Sequence, residues 1–109
     1  MNLNDYQAAA LRTAGPKDKN NELLHLVLGL CGESGEIAEK FKKLVRDHDS
    51  DEAKIDRDDI KKELGDVMWY VAVLADYLDI SLEDIAKANI EKLASRKARG
   101  VISGSGDNR

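Results

Sequence analysis

The sequence predicts an all-α fold, a four-helix, bundle-like single domain over residues 1–109. Two observations carry that expectation. Apolar residues return every three or four positions through long segments, the spacing that lines one face of a helix. The composition, 42% hydrophobic and 35% charged with one Pro, one Phe and one Trp, suits amphipathic helices and is poor for strands. A chain of 109 residues makes one domain, and one this size buries roughly 60–70% of its unfolded surface, so the core is modest.

The first helix is read from Leu3 to Ala14, with Leu3, Tyr6, Ala10 and Leu11 on its apolar side, Asn2 or Asn4 as cap, and a stop at Gly15-Pro16. The second runs from Asn21 to about Val45 on Leu24, Val27, Leu28, Cys31, Ala38, Phe41 and Val45. Its interior glycines, Gly29, Gly32 and Gly35, each cost up to ~1 kcal/mol against Ala. They argue for a close approach to the backbone, by a neighbouring helix or by a ligand. On a helical wheel His25, Gly29, Gly32, Glu36, Lys40 and Lys43 share one stripe.

Arg46 to Asp59 is polar and acidic. Its alternating aspartates resemble a calcium loop, but Glu52 stands where the turn needs Gly and Asp58 where a Glu closes the site, so a solvated interhelical loop is expected. A third helix, about Asp58 to Leu78, carries Ile60, Leu64, Val67, Met68, Val71, Leu74, Ala75 and Leu78 and should pack antiparallel to the second. Ser81 caps a fourth, with Asp84 in the reciprocal position and Ile80 and Ile85 as a hydrophobic staple. Asn89, Lys92 and Arg96 lie on one side of it, and residues 100–109 read as a flexible tail.

A net charge of −4 and a pI near 5.2 argue against a nucleic-acid polymer or a membrane surface as partner, since both select clustered Lys and Arg. The start of the chain lacks the basic end and apolar run of a signal peptide, and no segment reaches the roughly 20 apolar residues of a span. A cytoplasmic protein with a small ligand is expected. Cys31, the single cysteine, falls on the apolar side of its helix with no base beside it and is assigned to the core, as are Phe41 and Trp69.

Carboxylates carry the chemistry. Glu33 with Glu36, and Glu63 with Asp66, stand three residues apart, one turn along the same helix face, where like charges repel. Glu36 has Lys40 and Glu39 has Lys43 four residues on, but Glu33, Glu63 and Asp66 have Ile37, Val67 and Tyr70 there. Unpaired acids among apolar residues on two helices favour convergence on a hard cation such as magnesium. A di-iron site would need Glu-x-x-His motifs, which neither His25 nor His48 supplies, and zinc would need a Cys and His cluster.

The run Gly32-Glu33-Ser34-Gly35-Glu36-Ile37-Ala38-Glu39, followed after a gap by Glu63-Leu64-Gly65-Asp66-Val67, closely resembles the MazG-like nucleotide pyrophosphohydrolases, the all-α NTP pyrophosphatase superfamily. The resemblance covers about His25 to Arg96. It implies that Glu33, Glu36, Glu63 and Asp66 hold Mg2+, with Mn2+ as a substitute, and that they hydrolyse a nucleoside triphosphate to monophosphate and pyrophosphate. Lys40, Lys43, Lys92 and Arg96 would then meet phosphate charge, Tyr70 the sugar or a phosphate, and His25 the pocket. It also implies a homodimer or dimer of dimers. Two other classes stay open: a module that binds metal or nucleotide without turnover, and a purely structural bundle, which leaves the unpaired acids and the glycines unexplained.

Overall fold

The computed structural model describes Met1–Arg109 and contains four α-helices and no strand. They are α1 (Leu3–Leu11), α2 (Glu22–His48), α3 (Arg57–Tyr77) and α4 (Leu82–Ala98), with one 3₁₀ turn, Glu52–Lys54, between α2 and α3. No helix is long and apolar enough to cross a membrane.

Local chemistry sets the ends. Asn2 caps α1 in a reciprocal box, its side chain accepting from the Asp5 N–H at 2.8 Å while Asp5 accepts from the Asn2 N–H at 3.3 Å. This helix stops three residues short of the expected Ala14, where the Thr13 hydroxyl donates to the Ala10 carbonyl at 3.0 Å and competes with the helical ladder. Helix α2 runs three residues past Val45 and closes where Asp49 and Ser50 turn left-handed (φ 54° and 59°), the Ser50 N–H reaching back to the Leu44 carbonyl. Asp56 and Ser81 cap α3 and α4, accepting from the Asp59 and Asp84 N–H groups at 3.1 and 3.0 Å.

Helices α2 and α3 form the main hairpin, α1 lies on α3, and α4 rests on α1 and α3. All four meet in one cluster of Ala10, Leu26, Ala72, Val73 and Leu82. A buried glutamine ties it together. Gln7 Nε2 donates to the Ala72 and Ile80 carbonyls, both at 3.1 Å, and its Oε1 accepts from the Leu82 N–H at 3.0 Å, so one side chain fixes the α3–α4 corner against α1.

The bundle is open. Its radius of gyration is 17.0 Å, against about 13 Å for a closed domain of this length. Its accessible surface is 7969 Å², against roughly 6,000 Å² for a compact monomer of this mass. Several residues assigned inward are therefore outside: Cys31 is exposed, and Leu28 and Val45 are 61% and 63% exposed. Phe41, Leu24, Leu64 and Met68 are exposed as well. The covered side of α2 carries Leu26, Leu30, Ile37 and Leu44 instead. Helix α2 thus has two apolar sides, and this chain covers one.

Residues 100–109 form turns, tied to α4 by Arg96, which donates to the Asp107 carbonyl, and closed on themselves by Arg109, which donates to the Val101 carbonyl.

Candidate active site

The antiparallel pairing of α2 with α3 brings Glu33 opposite Glu63 and Asp66. Carboxylate oxygens of these three lie within 4.8 Å of one another, Glu33 and Glu63 half-buried and Asp66 exposed. Glu36, the fourth acid of the expected set, is exposed and lies outside that group. Burial, with the charges of Asp66, Glu63 and Glu36 behind it, holds the Glu33 carboxyl above its ordinary range. Neither Glu33 nor Asp66 has an ion-pair partner, and Glu63 has only Lys40, at 3.6 Å. Three hard oxygen donors crowded together with so little counter-charge fit a divalent cation of the magnesium type.

Lys40 is the junction between this group and the next. It is ion-paired with Asp59 at the start of α3 and so leans toward Glu63 rather than toward Glu36, its expected partner. The reason is tertiary: α3 offers Lys40 two acids across the hairpin, and the Asp59 hydrogen bond, first among the causes, raises its amine above the ordinary lysine range. Glu39 likewise pairs with Lys42, at 3.0 Å, instead of Lys43. Lys43 lines a cleft of about 300 Å³ between the end of α2 and the start of α3, with Lys40, His48, Lys54 and Asp59.

One turn the other way the cluster has an aromatic wall. Tyr70 lies across Gly29, where an added Cβ would fall inside its ring, so this glycine serves helix packing; Gly32 and Gly35 face open space. Tyr70 meets Trp69 edge-on at 5.0 Å and His25 at 6.5 Å between ring centroids. His25 is exposed and its Nδ1 is 2.8 Å from Oε1 of the buried Glu22. Trp69 is half-buried beside the core and donates from Nε1 to the Thr13 hydroxyl at 2.8 Å. Sequence reasoning missed Tyr6. Read there only as an apolar position of α1, it packs against the core, and its hydroxyl is held above the ordinary range by burial and then by the charge of Asp66.

Lys92 and Arg96 are not brought to the carboxylates by any contact in this chain. Both turn to the terminal segment, 3.6 and 3.5 Å from the Asp107 carboxylate.

The protein is an all-α chain in which the facing helices of a hairpin bring together three acids that could hold a metal ion. The chain belongs to the MazG nucleotide pyrophosphohydrolase domain family, whose model matches residues 21–101. It is 51% identical to the Gene 37 protein of Mycobacterium phage L5 over an alignment of 114 residues covering the whole of both chains. It is 41% identical over 73 residues to the uncharacterized protein YvdC of Bacillus subtilis (strain 168), covering 62% of this chain and 68% of the relative. No solved structure matches the chain.

Proposed function

We propose that the protein is a magnesium-dependent nucleoside triphosphate pyrophosphohydrolase, releasing nucleoside monophosphate and pyrophosphate in the cytoplasm. The convergence of Glu33, Glu63 and Asp66 within 4.8 Å carries this reading, and membership of the pyrophosphohydrolase family supports it. Those three residues would hold the cation, which when bound neutralises phosphate charge and acidifies a water at neutral pH. Manganese substitutes as a hard cation of similar ligand preference.

The chain's own residues do the rest. Glu36, one turn beyond Glu33 and free of any ion pair, suits the role of accepting the proton of the attacking water. Lys40, steadied by Asp59, holds Glu63 from one side, while it and Lys43 offer charge to the phosphates leaving toward the cleft. Tyr70 and His25 give the sugar and base an amphipathic wall. Lys92 and Arg96 meet phosphate charge from α4.

The functional unit is a homodimer or a dimer of dimers. An excess of roughly 2,000 Å² per chain over a compact monomer, about 4,000 Å² for a pair, falls in the range that an obligate subunit interface removes, and the second apolar side of α2 contributes to it.

The test is product analysis over a panel of nucleoside triphosphates with and without Mg2+. Wild type should give monophosphate and pyrophosphate only with the metal, and Glu63→Gln and Asp66→Asn should each lower turnover by at least ~100-fold. Magnesium should also raise the melting temperature of wild type and not of Asp66→Asn. A metal-dependent melting shift with no turnover of any nucleotide would sink the enzyme and leave a binding module; orthophosphate as product would sink the pyrophosphohydrolase.

A further inference from the structure

Glu22 is a carboxylate withdrawn from water that the metal group does not use. It is the first residue of α2, its side chain is 6% exposed, and its polar side-chain contact is from Oε1 to Nδ1 of His25, at 2.8 Å. Its Oε2 lies against the connection between α1 and α2, 3.4 Å from where a side chain on Gly15 would begin. Lys17 lines the same small cavity but is engaged by Asp76, at 3.1 Å. A carboxylate so enclosed keeps its charge only if it is hydrogen-bonded. The start of α2 favours that charge, and His25 is its side-chain partner.

The bond fixes the imidazole. A carboxylate accepts and does not donate, so the proton lies on Nδ1, and the neutral ring presents Nε2 as an acceptor. Nε2 has no hydrogen-bond partner in the chain, and the His25 side chain is 52% exposed. The ring stands edge-on to Tyr70, at 84° between planes. Tyr70 is itself seated on Gly29 and braced by Trp69, whose Nε1 is tied to Thr13. Each ring of the wall therefore has an anchor behind it, Glu22 for one and Trp69 for the other. From Glu33 back to His25 is eight residues of α2, about 12 Å of helix, with Tyr70 lying over Gly29 midway. A nucleotide whose phosphates meet the carboxylates reaches that far with its base.

We propose that Glu22 is a positioning residue that acts through His25, holding Nε2 as the acceptor for an amino or imide N–H on the edge of a nucleobase. A carboxylate on one ring nitrogen holds an imidazole to a single tautomer and orientation. An exposed side chain that is already oriented gives up less rotamer freedom when a ligand binds. The inference deepens the function proposed above and rests on it for the direction in which the nucleotide lies. The bond between Glu22 and His25 is independent of that reading.

The test follows the ring nitrogens of the full chain, labelled with ¹⁵N in histidine, at a pH about two units above the ordinary histidine value. The His25 signals are those missing from His25→Gln. Wild type should carry its proton on Nδ1. Its Nε2 should shift and saturate with the common nucleoside monophosphates in Mg2+ and stay unmoved with ribose 5-phosphate, which has no base. Glu22→Gln should lose the tautomer preference and raise KM for the triphosphate about five- to tenfold, with kcat within about twofold. His25→Asn keeps a group for Glu22 and loses the one at Nε2, so it should keep the melting temperature and raise KM as much. His25→Gln, whose amide reaches the Nε2 position, should lower the melting temperature and recover part of KM. A wild-type KM in His25→Asn would mean that the histidine serves only Glu22, and overturns the inference. So does an Nε2 that no nucleoside monophosphate moves, or that ribose 5-phosphate moves equally. If Glu22→Gln does not fold, His25→Asn and the spectra decide. A monophosphate needs no turnover to bind. A protein that hydrolyses nothing yet shifts Nε2 therefore loses the function above and keeps this site, while turnover with an unmoved Nε2 does the opposite.

Discussion

Glu33 bears the electrostatic strain of the site. Its carboxyl is partly buried and faces Asp66, Glu63 and Glu36, so its pKa in the folded chain lies above the ordinary 4.5. Between that ordinary value and the folded one the native state holds more proton than the unfolded state, so stability falls as pH rises through this window, and the cost persists at neutral pH. Glu33→Gln should therefore raise the metal-free melting temperature at pH 7, with the gain fading as pH falls through 4.5; a gain independent of pH would show that the ionised, partly buried carboxyl is not its origin. In the proposed function the same substitution should abolish the stabilisation by Mg2+, because the charge that penalises the metal-free protein is the charge that would hold the ion. Lys40 tempers this strain only at Glu63, and its bond to Asp59 explains why it does not neutralise the whole group.

Helix α2 is an element with two tasks. Its covered side packs on α3, and the contact at Gly29 is so close that only hydrogen fits beneath the Tyr70 ring. Gly29→Ala should cost about 1–3 kcal/mol in urea unfolding, from overpacking. In a Tyr70→Ala background the same change should be neutral or gain up to ~1 kcal/mol from helix propensity. Equal costs in both backgrounds would mean that Tyr70 is not what the glycine admits. Gly29 and Tyr70 thus set the spacing of the hairpin one turn from Glu33 and Asp66, and packing and site geometry are one problem at this point. Helix α4 differs: it is held at its start by Gln7 and Ser81, while its far end is held by the terminal loop.

At the scale of the whole molecule, a radius of gyration of 17.0 Å and exposed Leu24, Leu28, Val45, Leu64 and Ile90 describe a chain whose apolar surface exceeds what its own core uses. Light scattering on the eluting peak should give two or four times 12.1 kDa. Leu28→Asp, which adds a charge to the open side of α2 without touching the carboxylates, should shift the mass toward one chain and lower the melting temperature. A wild-type mass of 12.1 kDa at micromolar concentration would contradict the proposed assembly.

Much of this protein is legible in its sequence. Periodicity, the caps Asn2 and Ser81 and the break at Gly15-Pro16 determine four helices to within about three residues, because those signals are local and each end is set by its own side chains. The pairing of Glu33 with Glu63 and Asp66 is legible too, since acids without an i,i+4 cation on two antiparallel helices converge if the helices do. Only the tertiary structure decided which side of α2 is covered, because periodicity reports that a helix has apolar faces and not which neighbour takes them. It also decided that Lys40 serves Asp59 rather than Glu36, that Cys31 is outside, and that Lys92 and Arg96 turn to the terminal loop. Each depends on residues far apart in the chain meeting in space, and hydrogen bonds and ion pairs go to the partner that packing brings near, whatever its distance along the sequence.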